Sequence, residues 1–320
     1  MGTRSEANVT LREAARIPLP GHPPGGEFDH AAVDPVGDRL YVAHPSNDAV
    51  EVVELRTRRH LGSLADLRGV AGVWVDAGAR LIFTSNRSED TASIFRLSEA
   101  GVTEVFRVPT GVRPNGIAFD PGRNVLMVAG VGNAKLPGAP PTLTFVDVRS
   151  GKQIARIDAP GRTRWGLYHP STDAFYVNVA DPAMVVVVRA GELSAISKTF
   201  PVPANGPHGL EQDAAGDLLY CACDEGVLLT LDPRSGRTRV VAPLTGPPDV
   251  LWMDRMRTRL YCAVGNPGTV EVFDADPPRA SGRLRTADGA HTLTVDERRD
   301  EVHVFLPDSH EDLVLDQGAG

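Results

Sequence analysis

A short apolar run, an Asp-led turn and a second apolar run ending in polar residues recur seven times along this chain, and few folds accommodate such a repeat. The copies begin HAAVDPVGDRLYVAH, GVWVDAGARLIFTSN, GIAFDPGRNVLMVAG, GLYHPSTDAFYVNVA, GLEQDAAGDLLYCAC, VLWMDRMRTRLYCAV and TLTVDERRDEVHVFL. Their turn markers are Asp34, Asp76, Asp120, His169, Asp213, Asp254 and Asp296. A spacing of roughly 40 to 50 residues suits one four-stranded propeller blade. Each copy continues into a third strand such as AVEVVEL, ASIFRL or LTFVDV, then a Gly/Ser/Pro turn, then a fourth strand such as VTEVFRV or KQIARID. The last copy runs out after DLVLDQ and lacks a fourth strand. The stretch VTLREAARIPL, about residues 9–19, has the composition to supply it, and a ring closed in this way exposes no sheet edge. The expected fold is therefore all-β: one domain over residues 1–320, a seven-bladed β-propeller of four-stranded antiparallel blades.

Charge narrows the partners. Lys+Arg 33 against Asp+Glu 41 gives a net charge of -8, and no basic run is present to release counterions. Nucleic acid and an anionic membrane surface are not expected partners; a small-molecule substrate is. The opening MGTRSEANVTLREAARIPLPG carries no apolar stretch of signal-peptide length, and no membrane-spanning run follows. Cys221, Cys223 and Cys262 sit in the apolar runs LLYCAC and RLYCAV, without metal-ligand spacing, which reads as core packing in a reducing cytoplasm.

The segment FDHAAVDPVGDRLYVAH, with its blade-wise repeats, resembles the YncE-like (YVTN-repeat) seven-bladed propellers. The blade GPHGLEQDAAGDLLYCACDEGVLLTLDPRSGRT is similar also to those of streptogramin lyases and NHL-type propellers. The likeness runs over nearly the whole chain but consists of scaffold residues, so it implies a fold more than an activity. The tryptophan–aspartate signature of WD40 scaffolds is absent.

In a propeller the first strand of each blade lines the central channel, so its start opens at one mouth. The residues five places before each marker, from the second blade onward, are Ala71, Asn115, Arg164, His208, Asp249 and His291. In the first blade Asp29 or His30 holds the place, and the neighbours (HAAVD against HTLTVD) favour His30. His208, Asp249, His291 and His30 then fall on consecutive blades and form one arc, facing Ala71, Asn115 and Arg164. Imidazole and carboxylate are ligands for a divalent Zn, Fe, Mn or Mg ion, and three of them with open positions make a catalytic arrangement. His44, ending YVAH in the first blade, is a candidate fourth ligand.

Without a metal the arc supports acid–base chemistry, because Asp249 would stabilise a protonated neighbouring histidine. Streptogramin lyases open a lactone by elimination, using a channel histidine and a divalent cation; the resemblance implies such a part for His208 or His291. Arg164, with Trp165 beside it, suits a substrate carboxylate or an inter-blade ion pair. Asn115 suits a neutral contact to substrate or a cap of its own loop, while Arg113 reads as a loop residue in solvent. The loops between second and third strands add a rim: Asn47, Asn86, Asn133, Asp181, Asp224, Asn266, Asp308 and His310, mostly turn formers. The long loop at 130–142 is placed to overhang the mouth as a partial lid. Two readings stand: a metal-dependent lyase or hydrolase acting at the channel mouth, or a propeller that binds a ligand or protein without chemistry.

Overall fold

A computed structural model describes residues 9–99 and 101–317. Seven four-stranded antiparallel sheets make the ring, and six are built from consecutive strands. The seventh combines Leu293–Asp296, Glu301–Leu306 and Glu311–Asp316 with the N-terminal strand Arg12–Pro18, which pairs outermost from Arg12↔Asp316 to Pro18↔Glu311. The strand expected at about 9–19 thus closes the circle.

Position within a blade follows from the pattern of apolar residues. Second strands such as Leu81–Asn86 and Val125–Gly130 are buried along their whole length, because neighbouring blades cover both faces. The outermost strand Arg59–Leu64 alternates exposed and half-buried positions, as a sheet rim does. The core is split into seven clusters, each shared by two adjacent blades; one gathers Phe83, Phe119 and Val128 from blades 2 and 3. Each blade is therefore stabilised by its neighbours more than by itself. All three cysteines are buried in these clusters as free thiols. No helix of the described residues is long and apolar enough to cross a membrane.

The marker acids act as the sequence reading proposes. Asp34 accepts the Val36 N–H at 3.0 Å, Asp120 that of Gly122 at 2.9 Å and Asp296 that of Arg298 at 3.0 Å. Several also tie blades together. Arg80 of blade 2 places Nη1 2.9 Å from both oxygens of Asp34 in blade 1, and Arg299 of blade 7 reaches Asp38 of blade 1 at 2.5 Å.

One local irregularity positions the site. In blades 2 to 6 the first strand slips register just after its start, between Val70/Val73, Pro114/Ile117, Thr163/Gly166, Pro207/Gly209 and Pro248/Leu251. A bulge re-aims the side chains around it. The residue five before the marker and the one after it are thereby freed from strict alternation, and both rows contribute to the channel. In the second row, Gly72, Gly116 and Gly209 have no alternative: an added Cβ would lie 2.4, 2.4 and 2.7 Å from the carbonyl oxygens of Asn115, Arg164 and Asp249 in the next blade.

Candidate functional site at the channel mouth

The residues at the strand starts do converge. Glu27, Asp29, His30, Asn115, His208, Asp249 and His291 line a polar cavity of about 130 Å³, together with Arg87, Arg113, Arg162 and Arg164. The backbone beneath is pinned from neighbouring blades. Ser85 Oγ donates to the Asn115 carbonyl at 2.7 Å, and Asn178 Nδ2 to the His208 carbonyl at 3.0 Å.

His208 is the hub. Its Nδ1 lies 2.7 Å from Asp224 Oδ1 and its Nε2 3.0 Å from Asp249 Oδ1. Burial alone would disfavour its charge, but the carboxylates of Asp249 and Asp224 prevail and raise it to about 9. The two carboxylates thus favour the imidazolium form, in which both nitrogens donate. Arg164 Nη1 also approaches Nε2, at 3.0 Å, and as a second cation it opposes that charge; its own anchor is Asp224 Oδ2 at 3.2 Å. Burial pushes Asp249 up, yet His208, His291 and His30 together hold it far below the usual carboxylate range.

His291 is placed differently. Its Nδ1 donates to the Gly289 carbonyl at 2.8 Å, which leaves Nε2 as the acceptor in the neutral ring, 3.9 Å from Asp249 Oδ2. Burial lowers its proton affinity, but Asp249, Asp29 and Glu27 outweigh burial and raise it.

The cavity has two chemically distinct walls. Blades 2, 3 and 4 contribute Arg87, Arg113, Arg162 and Arg164; blades 5, 6, 7 and 1 contribute the histidines and carboxylates. Arg87 bonds the Asn115 amide oxygen at 2.5 Å and reaches Asp29 at 3.4 Å. Desolvation and the nearby Arg164 lower the proton affinity of Arg162, the signature of cations crowded together. The Nε atoms of Arg87 and Arg164 are buried without a partner.

Several sequence expectations are corrected. The place five before the marker in blade 1 belongs to Asp29. His30 occupies the next row, since Ala43 N–H bonds its carbonyl as Phe305 N–H bonds that of Thr292, the residue after His291. His30 Nδ1 is 2.6 Å from Asp29 Oδ1, and its ring stacks on Trp165 with centroids 3.9 Å apart and planes 9° apart. Trp165 therefore sits under the site and does not line it. Arg164 stands beside His208 at one end of the arc, not opposite it, and is both an inter-blade ion pair and a cavity residue. His44 does not reach the arc: it is fully buried, with Nδ1 2.9 Å from Glu51 and Nε2 2.7 Å from His22. Arg113 is exposed, but on the cavity rim. Of the 130–142 loop, Val131 lines the cavity, and the rest frames an adjoining hollow that shares Arg113 and Arg162.

Contacts within the arc engage one nitrogen each of His30 and His291 and both nitrogens of His208: Asp29 takes that of His30, Gly289 that of His291, and carboxylates face both of His208. Among the described residues no group of three or more His, Cys, Asp or Glu has the arrangement to hold an ion.

Arg162 and Glu27 are not strand starts, and Arg113 is a solvent-exposed loop residue as expected, yet all three line the cavity, and the blade repeats carry a signal for them. They stand two places before the entry residues of blades 3, 4 and 1, where blades 2, 5 and 7 have Gly69, Gly206 and Gly289. Asp224 was assigned to turn chemistry, because its distance from His208 is set by the register Pro207↔Cys223, which spacing does not reveal.

Comparison with known proteins bears on the fold. No protein-family model matches the sequence, and no curated protein sequence matches it. Among solved structures, Kuenenia stuttgartiensis hydrazine synthase superposes with a TM-score of 0.78 over 92% of this chain and 95% of that one, at 14% sequence identity. At that identity the likeness concerns architecture alone: this chain is a seven-bladed β-propeller.

Proposed function

We propose that the cavity binds a small carboxylate-bearing molecule and performs acid–base elimination on it, a lyase chemistry. The observation that carries the proposal is the division of the cavity into an arginine wall and a His208–Asp249–His291 wall. Arginine presents a fixed fork of donors that matches a carboxylate. With the carboxylate held by Arg162 and Arg113, the adjacent carbon faces His291. Neutral His291 takes a proton from that carbon at Nε2, and the imidazolium so formed is stabilised by Asp249. The electron pair forms the double bond, the carbon–oxygen bond on the next carbon breaks, and His208, already protonated, donates a proton to the leaving oxygen. The lactone-opening lyases that blade 5 resembles use the same bond changes.

The test is a panel of small carboxylates with an oxygen leaving group on the β-carbon, followed by the ultraviolet absorbance of the conjugated product. Turnover is expected to fall about 10²- to 10⁴-fold in His291→Ala, the usual contribution of a general base, while carboxylate binding persists. No carboxylate binding at all sinks the proposal. The alternative, a propeller that holds the anion without converting it, is favoured by the engagement of both His208 nitrogens in fixed ion pairs. Bound ligand recovered unchanged decides for it.

A further inference from the structure

The channel contains a second cavity, on the other side of the His30–Trp165 stack, of about 230 Å³. Trp165 forms its ceiling, and Trp74, Phe119, Leu167 and Tyr168 are among its walls. The chain has 3 tryptophans, each partly buried against a blade core; Trp74 and Trp165 also line this space, and Trp252 lies 6.1 Å from Trp74, ring centroid to ring centroid. One polar edge faces the aromatic surface. Glu211, a buried residue, bonds its own neighbour's N–H (Gln212) at 2.8 Å and meets Arg255 at 3.4 Å. The Glu211–Arg255 pair is neutral overall, and burial raises the proton affinity of Glu211 despite Arg255. Where the upper cavity is polar and charged throughout, the lower one is largely aromatic, with one edge formed by Gln212 and the Glu211–Arg255 ion pair.

We infer that this lower cavity binds a planar, uncharged bicyclic aromatic molecule whose hydrogen-bonding edge meets Glu211 and Gln212. Size supports a bicycle: an apolar cavity of about 150 Å³ accepts benzene, and this one is larger by roughly half. Chemistry supports a neutral ligand. A cation would find its carboxylate already engaged by Arg255, and an anion would face Glu211. Tryptophan faces offer stacking to flat rings, and the Glu211 carboxylate as acceptor with the Gln212 side-chain amide as donor match a lactam-like edge. The inference is independent of chemistry at the upper mouth, because no residue lines both cavities.

Isothermal calorimetry with quinazolin-4-one, a planar uncharged bicycle with an amide edge, tests it. One saturable site per chain is expected, accompanied by a change in tryptophan emission. Affinity should fall about tenfold or more in Trp74→Ala and in Glu211→Leu, a loss of about 1.4 kcal/mol per tenfold, and stay unchanged in Arg113→Ala. Leu167→Trp, which puts a larger ring into the space from a residue only partly buried against the blade 4–5 core, should abolish binding while the far-ultraviolet circular dichroism is retained; it decides the matter if Trp74→Ala does not fold. Absence of saturable heat with wild-type protein, or binding that survives Leu167→Trp, overturns the inference.

Discussion

Replacing Asp249 with Asn asks whether that carboxylate keeps His208 charged. The His208 ring lies 2.7 Å from Asp224 and 3.0 Å from Asp249, with only 13% of the side chain exposed. Its proton affinity corresponds to about 9 against an ordinary 6.5. Each tenfold in proton affinity is worth about 1.4 kcal/mol, so the charged ring favours the folded state by about 3 kcal/mol. The folded protein holds this proton more tightly than the unfolded chain does. The contribution is therefore complete below about 6.5 and is lost as pH rises through about 9. Asp249 is the stronger of the two partners that raise the affinity. With Asn in its place, burial and Arg164 act against Asp224 alone, and the titration moves back toward the ordinary value. Urea unfolding from about pH 6 to about pH 10, with the His208 ring protons followed by NMR, measures both effects. Wild-type stability should drop by about 3 kcal/mol across that range, and the Asp249→Asn variant should show most of this slope removed. A wild-type His208 that titrates near 6.5, or a flat wild-type curve, refutes the reasoning.

Three further outcomes are expected. Arg162→Ala should weaken binding of a small carboxylate about tenfold, measured by calorimetry, with no change in Tm because the side chain lies at the open rim. Arg80→Ala leaves Asp34, 1% exposed, without its inter-blade partner, and should cost about 3 kcal/mol in urea unfolding; a loss under about 1 kcal/mol would mean that the turn N–H groups suffice. Zn²⁺ or Mn²⁺ should produce no rise in Tm that depends on His208, since Asp224 and Asp249 hold both of its nitrogens; a rise abolished by His208→Ala would overturn the assignment of those contacts.

The ring was legible because its determinants are local and repeated. Each marker acid sits in its own turn, and each buried second strand reads as an unbroken apolar run, so seven weak signals reinforce one another. The missing strand of blade 7 was legible for a related reason: an unpaired Glu311–Asp316 edge needs a partner, and only the N-terminal run has strand composition to spare. The arc was legible as a set of blades but not as a set of contacts. A one-residue difference in count put His30 where Asp29 belongs, although both line the upper cavity. Trp165 stands next to Arg164 in sequence but lines the lower cavity, which adjacency alone does not show. Asp224 and Arg87 reach the site from loops after second strands, and only strand register fixes how far such loops lean over the channel. The His22–His44 contact joins residues 22 apart through the path of the N-terminal segment, which no periodicity encodes.

The His30–Trp165 stack has a kinetic consequence. Because it stands between the two cavities, a molecule held by the arginines is expected to leave by the opening it entered. Any product that keeps the carboxylate then competes with incoming substrate for the same arginines, so inhibition by product should be competitive and should disappear when that carboxylate is esterified.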